Sequence, residues 1–350
     1  MDGRHKAGHD DPFCFDFRTC ILSRLDTMKI GVILAAAVGL VLFVWLLLHI
    51  GVEQVFRAVT AIGFGGFALF CAAGIAVVAL LGTAWAALIP DARPRDALTY
   101  ILGRQTRDSA GDILPFSQLG GIVIGARAVI LRGVSPPLAF ASAITDVTTE
   151  LMAQIVFILI GIALCIAQLR ASEATAPYVD GLILGTLLLV PGIAAFVFLQ
   201  QRGSQLARTL ATRFLPAAIE HTAAFSDQMR AMYRSKTRLA ASSTLHLLSW
   251  VASAGLIWLS VRLIGARLDF FSCIAIEALL AALRSATVFI PASIGVQEAG
   301  YAALMPLFGL GPEIGLAVSL LKRARDIAVG VPVLLAWQAF EGRRALGGES

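Results

Sequence analysis

Ile113-Leu114-Pro115-Phe116-Ser117 returns as Phe289-Ile290-Pro291-Ala292-Ser293, an offset of 176 positions (115 to 291). The same offset carries Gly133-Val134-Ser135-Pro136 onto Gly309-Leu310-Gly311-Pro312, Ala141 onto Ala317 and Glu150 onto Asp326. It also lays the apolar run from Gly63 over the one from Ala240. Proline removes a backbone donor and disfavours helix in the residue before it, while a serine caps a new helix. Each motif therefore predicts a break followed by a half-helix, whose free N–H groups and positive dipole end suit a phosphate or carboxylate at membrane depth. A proline kink satisfied by neighbouring helices accounts for either motif singly. A shared preference for Gly/Pro breaks accounts for the pair.

The chain is 58% apolar and only 15% charged, with a mean hydropathy of +0.81. That mixture belongs to an integral membrane protein, and the fold class is an all-α polytopic helix bundle with two broken or re-entrant regions. A net charge of +5 and a pI near 9.2 accompany it. The basic residues lie between apolar runs, where they orient the chain and meet anionic headgroups. No Lys/Arg stripe joins a recognition helix, so nucleic acid is not a partner. Cys71, Cys165 and Cys273 fall in apolar runs, and Cys14 and Cys20 form neither CxxC nor a Cys/His cluster. No metal site follows from them, nor from the scattered His49, His221 and His246.

Residues 1–28 read as a polar, disordered cytoplasmic leader, with Met28 as an alternative start. Residues 29–342 form the membrane domain and 343–350 a cytoplasmic tail. Runs long enough for a bilayer core of about 30 Å are Ile30–Ile50, Gly63–Ile89, Leu138–Gln168, Val179–Leu199 and Ala240–Ile264. A last element, Glu313–Phe340, is interrupted by Lys322-Arg323-Ala324-Arg325-Asp326. The stretches before Leu138 and before Glu313 read as re-entrant hairpins or paired short helices.

Basic residues before Ile30, after Ile89 and at Arg343-Arg344 place both termini in the cytoplasm. Halves at about 63–168 and 240–340 then run in opposite directions, which makes the duplication an inverted repeat. Residues 200–238 mix basic groups with Leu206, Leu210, Phe214, Phe225, Met229 and Met232. They predict amphipathic helices on the anionic leaflet, or a linker packed against the protein.

Each charge at mid-bilayer costs about 2.5–3.5 kcal/mol on insertion scales, so these charges face a partner or a wet cavity. Asp146 and Glu150 share a helix face, as do Lys322 and Asp326. Cross-pairing of Glu150 with Arg323 or Arg325 is one expectation, and an ion pair that merely holds the halves together is the plainer one. Glu277 and Arg284 lie two turns apart, and Glu298 follows Pro291 by seven residues. Arg104, Arg107, Asp108 and Asp112 occupy the corresponding first region. There is no Walker loop, no GxGxxG between strand and helix, no GxSxG elbow and no HExxH, so neither an enzyme nor a cofactor is expected.

Leu114-Pro115-Phe116-Ser117-Gln118-Leu119-Gly120-Gly121 with Arg127, Asp146 and Glu150, and later Ile290-Pro291-Ala292-Ser293-Ile294-Gly295-Val296-Gln297-Glu298, resemble the lysylphosphatidylglycerol synthase transmembrane, or flippase-like, family. The resemblance covers roughly residues 29–342. Gly103-Arg104-Gln105-Thr106-Arg107-Asp108-Ser109-Ala110-Gly111-Asp112 is similar to its hopanoid-biosynthesis-associated subgroup in Gram-negative bacteria. Val296-Gln297 stands where many relatives carry further glycine. The resemblance implies a lipid transporter of the bacterial inner membrane, with a hopanoid or other polar or anionic lipid as partner. It implies no aminoacyl transfer, since the soluble transferase domain of full-length synthases has no counterpart here.

Substrate contact is then expected at Pro115, Ser117, Pro291 and Ser293, with Arg107, Arg127, Arg284 and Arg323 on the headgroup. Asp146, Glu150, Glu298 and Asp326 would neutralise those arginines or take up protons. A lipid-modifying enzyme using the buried carboxylates, or a scaffold for hopanoid-synthesising enzymes, remains open at this point.

Overall fold

Long apolar stretches without internal breakers become the long helices, and clusters of Gly, Pro and charge separate them. A computed structural model describes residues 62–90, 93–113, 117–170, 219–287 and 290–347, besides Glu53 and Thr60. The runs Ile30–Ile50 and Val179–Leu199, the leader, Pro115 and residues 200–218 lie outside the described residues. Among the described residues the α-helices are α1 (Gly63–Ala86), α2 (Ala97–Ile113), α3 (Ser117–Ile130), α4 (Pro136–Arg170), α5 (Ile219–Arg234), α6 (Lys236–Leu263), α7 (Phe270–Ala286), α8 (Val296–Leu304) and α9 (Pro312–Gly347). Short 3-10 turns cover Pro94–Asp96, Pro291–Ser293 and Met305–Phe308, and no strand occurs among these residues.

Three helices are long and apolar enough to cross a bilayer: α1, most of α4, and α6, with hydropathies of 2.4, 2.4 and 1.5. α9 has 36 residues, about 54 Å of helix, but its central charges lower its hydropathy. The sequence suggests an interruption at Lys322–Asp326; the helix in fact runs straight through it. Pro332 also lies inside α9 and withholds one backbone hydrogen bond. α2 and α7 have 17 residues each, about 25 Å, and fall short of a hydrocarbon core of about 30 Å.

The elements follow one order twice. A long helix, a 17-residue helix, a shorter helix and a long helix appear as α1–α4 and again as α6–α9. Packing crosses between these sets: α2 lies on α9, α7 on α4, and α1 on α6. Ser285 accepts a hydrogen bond from Gln154 at 2.9 Å, joining α7 to α4. Ser109 abuts Gly330 where α2 meets α9, and both residues stand 176 positions before or after that pair's members.

Met232 and Ser226 of α5 are buried, and α5 packs on α4 and α6.

Small residues set the spacing. A Cβ on Gly121 of α3 would sit 2.7 Å from the Arg107 carbonyl oxygen of α2, and one on Gly125 would meet Arg107 Cβ at 2.7 Å. Gly161 of α4 rests on Ala278 of α7, and Gly315 of α9 on the Tyr301 backbone of α8. Such contacts replace the hydrophobic drive that lipid removes between membrane helices. Leu69, Val123, Met152, Leu248 and Leu335 are exposed on the outside, while Arg104, Arg107, Asp146, His246, Glu277 and Lys322 are buried. The bundle is apolar outside and charged within.

Gly121→Val should lower stability by about 1–3 kcal/mol, read as a fall in the melting temperature of the detergent-solubilised protein. Gly65→Ala, where a Cβ meets nothing within 4 Å, should leave that temperature unchanged or slightly raised. Equal melting of the two variants would contradict the packing described.

Candidate functional site

Arg104 and Arg107 are three residues apart on α2, and Asp146 and Glu150 four apart on α4, so each pair shares one helix face. The faces meet. Arg104 Nη1 donates to Asp146 Oδ2 at 3.2 Å and to Glu150 Oε2 at 3.0 Å, and its Nη2 donates to Glu150 Oε1 at 2.6 Å. Its Nε reaches Asp108 at 2.9 Å. Arg107 donates to Asp146 Oδ2 at 2.8 Å and to Glu150 Oε2 at 2.9 Å. His246 of α6 adds Nε2 against Asp146 Oδ1 at 3.0 Å. One helix turn away, the Thr149 and Ser242 hydroxyls are 3.0 Å apart. Asp146 and His246 are wholly buried.

A second network occupies α7, α8 and α9. Tyr301 donates its hydroxyl to Glu277 at 2.8 Å, and Lys322 Nζ donates to Glu277 at 3.1 Å and to the Tyr301 hydroxyl at 2.8 Å. Beside it, Glu298 accepts from Gly295 N–H at 2.8 Å, Ser319 at 3.1 Å and Arg323 Nε at 3.0 Å. Arg325 grips Asp326 through Nε at 3.0 Å and Nη2 at 2.6 Å. Asp146 and Lys322, 176 positions apart (146 to 322), are the centres of the two networks with opposite charge.

Between the networks lies a cavity of about 200 Å³, bounded by α1, α2, α4, α6, α7, α8 and α9. Its basic lining is Arg104, Arg284, Lys322, Arg323 and Arg325, and its acidic lining Asp108, Asp112, Glu150, Glu277 and Asp326. Val77, Val78, Leu81 and Leu256 supply an apolar side. Arg284 and Asp112 make no hydrogen bond or ion pair among the described residues. Arg323 keeps Nη2 buried without a partner. The site thus offers unspent donors and one unspent carboxylate beside an apolar wall.

The structure brings together some of the residues expected from sequence and separates others. Glu150, Arg284, Arg323 and Asp326 line the cavity, whereas Arg107, Asp146 and Glu298 stand behind it as partners of lining residues. Glu150 pairs with Arg104 and Arg107 of α2, so the expected cross-pairing with Arg323 or Arg325 does not occur. Arg127 is half-exposed in a bridge of 2.7 Å to Glu341, away from the cavity lining. The headgroup contact expected of Arg127 is therefore not supported.

α3 is described from Ser117, and residues 114–116 before it lie outside the described residues. Ser293 does not cap α8; Ala292 and Ser293 both have φ of 50°, and α8 begins after Gly295, whose φ of 79° suits glycine. The Pro291–Ser293 turn therefore precedes the cap, and the Glu298 carboxylate closes back on Gly295 N–H. Tyr301 is a member that sequence patterns do not single out, and His246 enters them only as one of three scattered histidines. His246 stands 100 positions from Asp146, and no local spacing links them.

The family profile for the lysylphosphatidylglycerol synthase TM region matches residues 32–333. The chain belongs to this family. Curated proteins and solved structures give no match. Family membership and the apolar helices support a membrane location and a lipid-related function. Both charge networks and the cavity fall inside the segment that carries the family match.

Removing one partner of a buried ion pair strands the other. Asp146→Ala should therefore destabilise the protein by about 3–5 kcal/mol, measured by thermal or denaturant melting in detergent. Arg127→Ala, at an exposed bridge, should cost no more than about 1 kcal/mol. A mild effect at Asp146 would show that the network is not under tension from burial.

Proposed function

We propose that this chain is a lipid transporter of the bacterial inner membrane, which moves or hands over a lipid by admitting its polar headgroup to the central cavity. The observation that carries this is the pairing of an apolar exterior with an internal cavity lined by ten charged residues, two of which are unpaired. Charged groups are costly inside a membrane bundle, and they are retained where a polar pathway needs them. A scaffold needs no such cavity.

The doubled element order supports an inverted repeat. α2 and α7 are each too short to span and are followed by another helix, the arrangement of re-entrant hairpins at a transporter's centre. The exchange of α2 onto α9 and α7 onto α4 supports two halves built around one site. With both termini in the cytoplasm, the halves would face opposite leaflets, as alternating access requires.

Arg284 and Arg323 are the groups best suited to oxygen atoms of an entering headgroup, because their donors are not all engaged. Asp112 suits a hydroxyl or ammonium donor. The resemblance in α2 favours a hopanoid, whose polyol end is met by these donors and acceptors, and the same groups suit other polar or anionic lipids. The chain is proposed to act without chemical change to the lipid.

The test uses the full chain in phosphatidylethanolamine and phosphatidylglycerol vesicles with a fluorescent hopanoid. The wild-type protein should accelerate exchange of the hopanoid between leaflets. Arg284→Gln should slow it by about tenfold to a hundredfold, the loss of one hydrogen bond to a charged group, with melting temperature unchanged because no internal bond is removed. Unchanged leaflet exchange with folded protein in the membrane would overturn the reading, and a chemically altered lipid recovered by mass spectrometry would replace it with an enzyme.

A further inference from the structure

Charge balance differs between the two buried networks. In the second, Glu277 pairs with Lys322, Glu298 with Arg323 and Asp326 with Arg325, one acid to one base each. In the first, among the described residues, Asp108, Asp146 and Glu150 share Arg104 and Arg107. That network is one positive charge short. Uncompensated charge at such burial is expensive, and a bound cation would remove the deficit.

His246 is the one histidine in contact with it. Its Nε2 faces an Asp146 carboxylate that already accepts guanidinium bonds from Arg104 and Arg107, so Nε2 must carry the hydrogen. Nδ1 then holds a free lone pair, and it is buried without a partner. The ionisable groups around it are accounted for. α1 carries no Asp, Glu, Lys, Arg or His. On α5, which packs on α4 and α6, Asp227 and Arg230 pair with each other at the exposed surface. Glu277 of α7 is held by Tyr301 of α8 and Lys322 of α9, while Arg284 of α7 and Asp112 of α2 border the same cavity as Arg104, Asp108 and Glu150 and add one cation and one carboxylate, which leaves the count one positive charge short.

We propose that His246 Nδ1 is a proton-binding site and that its proton is the coupling ion for translocation. The proton adds to the Nδ1 lone pair, giving an imidazolium whose Nε2–H remains on ionised Asp146; no other bond forms or breaks. The first network then becomes neutral, with three carboxylates facing three cations. Arg104 and Glu150 belong both to this network and to the cavity lining, so a change of charge at His246 is felt where the headgroup sits. The equivalent centre of the second network, Lys322, is already a cation with its own carboxylate.

This inference rests on the transport reading, and its test separates the two. The full chain is placed in phosphatidylethanolamine and phosphatidylglycerol vesicles with the fluorescent hopanoid, and a gradient of about one pH unit is imposed across them. For one proton per lipid, that gradient supports up to about tenfold asymmetry between leaflets, abolished by a protonophore. His246→Gln, reconstituted as folded protein, should give no asymmetry under the gradient. Retained asymmetry in His246→Gln would overturn the site. Exchange without asymmetry in the wild-type protein would overturn proton coupling and leave transport intact. Absence of all exchange would overturn the transport reading instead. Nitrogen-15 spectra of histidine-labelled protein then decide the proton site separately: one buried imidazole resonance should move with pH in the wild type and be missing from His246→Gln, and a resonance that never moves would overturn the site.

Discussion

Everything in this bundle hangs on the requirement that a charge taken out of water must meet its opposite. α2 is the clearest case. Its arginines would not tolerate hydrocarbon, and its length does not cross it. The bidentate grip of Arg104 on Glu150, reinforced by Arg107 and Asp146, holds α2 against α4. Because a guanidinium presents a rigid fork of donors, that grip fixes angle as well as distance. From α2, the position of α3 follows through Gly121 and Gly125, and that of α9 through Gly330. The second network does the same for α7, α8 and α9 with a lysine and a tyrosine in place of two arginines.

Replacing a buried ion pair by well-packed apolar side chains is often neutral or stabilising. Stability alone therefore does not explain why so many charges are kept. The cavity between the networks gives a better reason, since the residues that pair on one side are the residues that present polar atoms on the other. Glu150, Arg104, Lys322 and Arg323 each hold helices together and border the space where a headgroup would sit. A shift in any one partner alters both functions at once.

The long helices were legible because an apolar run of bilayer length has few other uses. α1, α4 and α6 lie close to the runs at Gly63–Ile89, Leu138–Gln168 and Ala240–Ile264. The turn at Pro291–Ser293 was legible too, from its proline. α9 was misread as interrupted, because hydropathy sees Lys322, Arg323, Arg325 and Asp326 as exposed charge. Their partners Glu277 and Glu298 come from other helices, and Asp326 neutralises Arg325 within the same turn. Ser293 does not cap α8 for a local reason: Gly295, with its positive φ, takes the cap position two residues later. His246 and the Arg127–Glu341 bridge depend on contacts 100 and 214 positions apart, and no single-sequence period reports such distances.

Pro332 gives α9 an unequal division of labour. The segment before it carries the cations that border the cavity, and the segment after it carries Glu341, bridged to α3. Proline withdraws the backbone donor that would have bonded to the carbonyl of Ala328, one turn back. The rod is thereby scored at one point along its length. Pro332 is therefore a fulcrum between a half of α9 anchored by buried ion pairs and a half held by one exposed bridge, so the latter is the half free to tilt.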